Sequence, residues 1–360
     1  MIVFVTTREG DFGIVDFLAG AGQPVADRIR VLHYEDVASL EALPAASYVF
    51  SALDQLLPTE RELVGEMRAR LAESGRCGSL LNEPGRTLVR PELLEQLYAS
   101  GRNSFRAVPA TERSAPLRFP VFVRDAVAHD GSLTELLPDR RRLQSSLLRL
   151  AVRGYRLSDL LVVEFCDTSN ADGTFRKYGA FVLGDRVIAR SLNVATAWMT
   201  KRETSHANDE CAIEETAYVE ANPHADWLAE TFALAGTDYG RMDYGVGGSR
   251  PQTWEINLNP TIGRGRRLRR EADTPERQRA RELSRRARAL FYDQFIEAWH
   301  AIDHAADPRD TIAWHVSAAA RAALEQERRE RQRRLDRRRS RDRLIGARPI
   351  RAVRRLLRPR

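Results

Sequence analysis

The sequence predicts an α/β protein: an N-terminal domain built on a doubly wound parallel sheet, two smaller α+β segments, and a helical, arginine-rich tail. Three observations predict it. Over residues 1 to 105, short apolar runs alternate with stretches of helical periodicity, the order that sets parallel strands between helices. Between residues 175 and 260, apolar runs come in pairs around glycine-containing turns, as antiparallel hairpins do. Beyond Arg264 charge takes over. Residues 264 to 360 hold 29 arginines against 14 acids, so although the chain totals +7, residues 1 to 263 sum to −8.

Each element has its own reason. Met1-Ile2-Val3-Phe4-Val5-Thr6-Thr7 lacks the basic flank and long apolar core of a secretory signal and reads as a first buried strand. A helical stretch near Ile14 to Leu18 follows, then strands at Arg28 to His33 and Ser47 to Phe50. Pro58-Thr59-Glu60-Arg61 opens a helix that Thr59 is placed to cap; Leu63, Met67 and Leu71 recur every four residues until Gly75 stops it. Ser79-Leu80-Leu81-Asn82 is the next strand, and Arg90 to Ala99 a helix closed by Gly101. Farther on, Phe175 to Leu183 and Val187 to Arg190 form a hairpin about Gly184-Asp185-Arg186. Beyond Arg264 the chain turns helical, and from Arg279 to Trp299 the residues Leu283, Ala287, Leu290, Phe291, Phe295 and Trp299 mark one packing face.

Composition excludes several classes. With 360 residues and 43% hydrophobic content the chain is ample for two or three domains. No run approaches the length of a transmembrane span, and a cytoplasmic location is expected. Cys77, Cys166 and Cys211 are widely spaced and in no metal-ligand pattern, which fits reduced thiols and gives no sign of zinc. Gly-x-Gly-x-x-Gly and Walker phosphate loops are absent from the N-terminal domain. Only Lys177 and Lys201 are lysines among 57 basic residues. In an arginine-biased chain a surviving lysine marks either chance or a place where a compact ammonium serves better than a planar guanidinium.

The chemistry concentrates in Arg241-Met242-Asp243 and, beyond a glycine-rich turn, Trp254-Glu255-Ile256-Asn257-Leu258-Asn259-Pro260. Glu255 and Asn257 are two apart, so a strand points both to one face. With Asp243 they make the hard-oxygen set that Mg²⁺ prefers when it is shared with phosphate oxygens. An ordinary hairpin with carboxylates near its turn has the same look. The pattern Arg-x-Asp, turn, Glu-x-Asn-x-x-Pro resembles the metal-binding hairpin of the ATP-grasp superfamily, as in D-alanine:D-alanine ligase and glutathione synthetase.

The resemblance covers roughly residues 79 to 263 and implies four segments: an N-terminal domain (1–105), a central subdomain (106–185), a C-terminal subdomain with the metal hairpin (186–300) and the tail (301–360). It implies ATP and Mg²⁺, with Mn²⁺ as a substitute. Arg90 and Arg124 fall where relatives carry phosphate-binding lysines, and Arg keeps the charge while changing its geometry. His129-Asp130-Gly131-Ser132 matches the small-residue loop over the phosphates; Gly131 and Ser132 let backbone N–H groups approach. Leu160 to Phe165 resembles the strand that pairs with adenine, with Glu164 and Phe165 beside the nucleotide and the ribose against Asp167 to Asp172. In the hairpin from Phe175, which includes Lys177, relatives turn a basic residue toward nucleotide or substrate. Lys201 falls where relatives place a lysine on the terminal phosphate.

The implied reaction is carboxylate–amine ligation through an acylphosphate. Asp243, Glu255 and Asn257 are the metal ligands; Lys201 and Arg124 neutralise phosphate oxygens, Arg241 stabilises the tetrahedral intermediate, and Arg190 binds the carboxylate substrate, a small molecule or a peptide. Two alternatives stay open: a scaffold without catalysis that binds nucleic acid or lipid through its tail, and a small-molecule kinase. From Arg321 to Arg360, 17 arginines face 5 acids, a polyanion-binding or simply solvated run. Many relatives are dimers, so a homodimer is one option.

Overall fold

The apolar opening run becomes β1 (Ile2–Thr6), buried along its whole length as a central parallel strand must be. This computed structural model describes residues 1–112, 116–128, 131–200, 205–206, 208–248, 250–263, 275–305, 307 and 309–346, with side chains 277, 338, 339 and 341–346 excepted. The chain forms two units, Met1–Ser104 with Cys166–Ser317 and Phe105–Phe165 with Ala318–Arg360.

In the first unit, α1 (Phe12–Leu18) leads to β2 (Ile29–His33), and α2 (Tyr34–Val37) to β3 (Ala42–Pro44) and β4 (Ser47–Phe50). After α3 (Pro58–Glu73) comes β5 (Leu80–Leu81), then α4 (Arg90–Ala99). The sheet runs β2-β1-β4-β5, all parallel, as the alternation of elements predicts. Thr59 does not cap α3: the helix starts at Pro58, and the Glu60 carboxylate accepts from the Leu57 N–H at 3.0 Å instead. Proline at the first position already lacks an N–H, so the preceding donor is the one to satisfy.

The same unit contains an antiparallel sheet. Its strands are β9 (Phe175–Leu183), β10 (Arg186–Ala195), β11 (Tyr239–Gly247) and β12 (Arg250–Asn257), in the order β10-β9-β11-β12. Between β10 and β11 lie α6 (Asp209–Ala221), capped by Asn208, and α7 (Ala225–Leu234). The face marked from Arg279 to Trp299 divides into α8 (Pro275–Leu283) and α9 (Arg285–Ile302) at buried Ser284, and Leu283 is exposed. Phe291, Phe295 and Trp299 do pack inward, in one core with Phe4, Phe17, Phe181 and Tyr239, and Ala287 is buried. Thus α9 joins both sheets: Trp299 meets Phe4 at 6.1 Å between ring centroids, and Phe295 meets Phe181 at 5.2 Å. The expected helical run is interrupted at β13 (Thr311–Ala313), which pairs with β3 because Ile312 has an apolar niche there.

The second unit holds β6 (Ala107–Pro109), β7 (Val121–Asp125) and β8 (Leu160–Glu164), antiparallel in the order β6-β8-β7. α5 (Arg140–Val152), capped by Asp139, contributes Leu143 and Leu150 to a core with Val121, Val123, Leu160 and Val162. α10 (Ala318–Gly346) carries the charged tail and is laced by pairs such as Arg329–Glu325 at 2.7 Å. Among the described residues no helix is long and apolar enough to cross a membrane.

Candidate active site

Strand alternation decides which side chains share a face. On β11 and β12, Met242 and Ile256 are buried opposite one another, which turns Arg241 and Asp243 on one strand and Glu255 and Asn257 on the other to the second face. The register is Arg241↔Asn257 and Asp243↔Glu255. It then slips, leaving Trp254 as an extra residue, the bulge geometry that often re-aims side chains beside active sites.

Asp243 is only 5% exposed and is held by two cations. Arg241 Nε donates to Oδ1 at 2.8 Å, and Lys177 Nζ reaches Oδ2 at 3.3 Å. Burial works against the Arg241 charge, but Asp243, as neighbour and acceptor, and Glu255 outweigh it and hold its pKa above the ordinary arginine value. Gly179 lies opposite Asp243 on β9, where a Cβ would come within 2.9 Å of Ser191 Oγ. Glu255 pairs with Arg90, Nη2 to Oε2 at 2.7 Å, so two residues picked from distant motifs meet. Asn257 Oδ1 accepts from the Asn259 N–H at 2.8 Å. Asn259 in turn donates to the Gly10 carbonyl at 3.0 Å and accepts from Ser51, tying the hairpin's end to the parallel sheet. A Cβ on Gly10 would sit 2.4 Å from the Asn259 amide, so glycine is what allows this approach.

Arg190 is the extra residue of a second bulge, between the pairs Ala189↔Ala180 and Ser191↔Gly179. Its guanidinium lies over Phe291, 4.5 Å from the ring centroid, and over Tyr292 at 5.5 Å. Arg190, Arg241, Asp243 and Lys177 line a cavity of about 380 Å³ that is also lined by residues of α6, α8 and α9. Below the site, Tyr178 and Tyr244 stack at 5.2 Å, and a hydrogen-bond chain runs from His224 Nδ1 to Tyr244, to Tyr218, to the Gly179 carbonyl. Burial raises the Tyr218 and Tyr244 pKa values and lowers that of His224.

The second unit holds the remaining sequence candidates. Glu164 is 1% exposed and its carboxylate accepts from the backbone N–H groups of Arg106 at 3.0 Å and Arg118 at 2.7 Å, and from the Arg118 guanidinium at 3.0 Å. The Phe165 N–H, just past β8, donates to the Pro120 carbonyl at 2.9 Å. Arg124 is buried on β7 opposite Leu161 and bridges to Ser132, whose hydroxyl donates to the Thr134 carbonyl at 2.5 Å. Gly131 takes a left-handed φ of 92°. Lys201, His129 and Asp130 lie outside the described residues.

The structure therefore brings together Arg241, Asp243 and Arg190 at the cavity, and Arg90, Glu255 and Asn257 along the same hairpin. Lys177 as the partner of Asp243 was the residue least visible beforehand; its signal was its rarity. Arg281 and Arg288, which also line the cavity, carried no signal in a run full of arginines.

No family model matches the chain, and no curated protein matches it. Similar solved structures include the Bacillus anthracis D-alanine–D-alanine ligase complexed with ATP, at 11% identity over 84% of this chain and 99% of that one, TM-score 0.41. A RimK domain ATP-grasp protein from Sphaerobacter thermophilus shares 12% identity over 82% and 99%, TM-score 0.44. The ATP-grasp ligase PsnB, complexed with precursor peptide PsnA2 and AMPPNP, shares 14% over 79% and 97%, TM-score 0.45.

Proposed function

We propose that the protein is an ATP-dependent carboxylate–amine ligase of the ATP-grasp kind. The observation that carries this reading is the register of β11 on β12, which sets Asp243 directly opposite Glu255 while Arg241, Lys177 and Arg90 surround the pair with positive charge. A purely structural hairpin has no need for two opposed carboxylates, which repel unless cations are held against both.

The donor set fits the metal. Asp243, Glu255 and Asn257 offer oxygen atoms alone, the hard ligands that suit Mg²⁺ and, as a substitute, Mn²⁺. When bound, the ion would supply neutralisation of the nucleotide's phosphate charge. Lys177 and Arg241 already compete for one carboxylate, so phosphate oxygens can draw either away without leaving Asp243 uncompensated. A carboxylate oxygen of the substrate, oriented by Arg190, bonds to the terminal phosphorus as the bond to ADP breaks. The amine nitrogen then bonds to the acyl carbon and loses a proton, inorganic phosphate departs, and Arg241 stabilises the oxyanion in between. In the second unit the same reading keeps Arg124 and the backbone of Gly131 and Ser132 as phosphate contacts, and the main chain at the end of β8, beside Glu164 and Phe165, as the adenine contact. Lys201 keeps its role on the terminal phosphate.

Release of ADP tests this. Ligation requires that ADP form only when an acid and an amine are both present, with one amide made per ADP. A stable phosphorylated product made without any amine would instead identify a kinase.

A further inference from the structure

We infer that α10 is a binding arm for duplex DNA, which lies in the major groove and grips the phosphates on both walls through Arg333, Arg334 and Arg337. The arm is separate from the ligation chemistry, and its role does not depend on that chemistry.

A helix of 29 residues is about 43 Å long, and only the first part of α10 is held by packing. Leu324 is 2% exposed and Glu327 and Arg328 are half-buried, but from Arg329 to Arg337 every side chain is exposed. Those residues make about two and a half turns, so no side of the helix there rests on the protein. A helix that is polar all round is held by pairs one turn apart. Arg329 pairs with Glu325 at 2.7 Å, Gln326 donates to Glu330 at 3.1 Å, and Gln332 donates to Asp336 at 2.9 Å. Among the described residues, no ion pair involves Arg333, Arg334 or Arg337. From Arg329 to Arg360 the sequence holds 15 arginines and 3 acids, and no acid follows Asp342, so the residues after α10 add only positive charge.

Positive charge on every side, with no apolar stripe, selects among polyanions. A helix lying on a membrane buries an apolar face, whereas Leu335, Leu344 and Ile345 are the apolar side chains between Arg329 and Gly346. Single strands stack their bases on aromatic rings, and α10 has no aromatic residue. A-form RNA closes its major groove to side chains, but the major groove of B-DNA admits an α-helix and flanks it with phosphates on both walls. Duplex DNA therefore meets an all-round positive rod on two sides at once. Phosphates carry no sequence information, so the arm binds without sequence preference.

The test is fluorescence anisotropy of the full chain with a labelled DNA duplex of about 30 base pairs over a range of salt concentrations. Unlabelled duplex DNA, single-stranded DNA, duplex RNA, a poly-glutamate peptide and vesicles containing anionic lipid serve as competitors. The wild type should bind the duplex with a steep salt dependence, and unlabelled duplex DNA should compete best. Each phosphate contact adds about 0.9 to the slope of log affinity against log salt, so Arg333→Gln/Arg334→Gln/Arg337→Gln should lower that slope by about 2 to 3 and weaken binding at about 0.1 M salt by tenfold or more. Circular dichroism checks that the variant is folded. No binding of the duplex at low salt, an affinity indifferent to salt, better competition by any of the other four probes, or a folded variant with wild-type affinity and slope would each overturn the inference. The first three outcomes need no variant.

Discussion

Two buried acids of the same type of sheet position behave differently. Glu164 in the second unit is met by two backbone N–H groups and a guanidinium, whereas Asp243 in the first is met only by side-chain cations at a cavity. Backbone donors cannot leave without moving the main chain, but an arginine or lysine can turn to a phosphate. An acid fixed by the main chain is a structural pin. One fixed by mobile-tipped cations is held ready for a ligand, and Glu255, paired with the Arg90 side chain, belongs to that second kind.

The contrast breaks if these acids respond alike to neutralisation. Glu255→Gln should cut Mg²⁺-dependent ATP consumption by about a thousandfold or more in the folded variant, because a metal ligand is lost. Equal activity in the variant, followed by coupled ADP detection, removes the metal assignment. Glu164→Gln should do the reverse: about 3 kcal/mol of stability lost in urea unfolding, since an amide cannot accept at both oxygens, with nucleotide affinity of the folded protein changed far less. A smaller effect tests the tie between hairpin and parallel sheet. Gly10→Ala should cost about 1 kcal/mol by displacing the Asn259 amide, read from the same unfolding curves.

The smallest effect concerns pH. Burial lowers the His224 pKa below its ordinary 6.5, so acidification through that value protonates the unfolded chain first and stability falls with pH. His224→Gln should remove that part of the dependence in thermal scans at neutral and mildly acidic pH; an unchanged slope would mean His224 is not its source.

Much of this was legible from the residues. The hairpin of Asp243 and Glu255, the helix from Arg90 to Ala99 and the parallel opening sheet follow from periodicity, glycine turns and proline, which act over a few residues. What stayed hidden depends on long-range register. Neither bulge leaves a mark in the sequence, yet one sets Arg190 apart and the other re-registers β12 against β11. The ring faces under Arg190 come from about a hundred residues away, and the Arg90 that meets Glu255 comes from 165 residues away. The break at Ser284 was missed because apolar spacing runs straight through it, and the pairing of β13 with β3 because three residues are too few to show alternation.

The central claim is that Asp243 and Glu255 form a metal–nucleotide site. Calorimetric titration of Mg²⁺–ATP into the wild type, Glu255→Gln and Asp243→Asn tests it most directly. Magnesium-dependent binding to the wild type that disappears in both folded variants is the predicted result. Binding that persists in both, or a folded wild type that takes up no nucleotide, would contradict it.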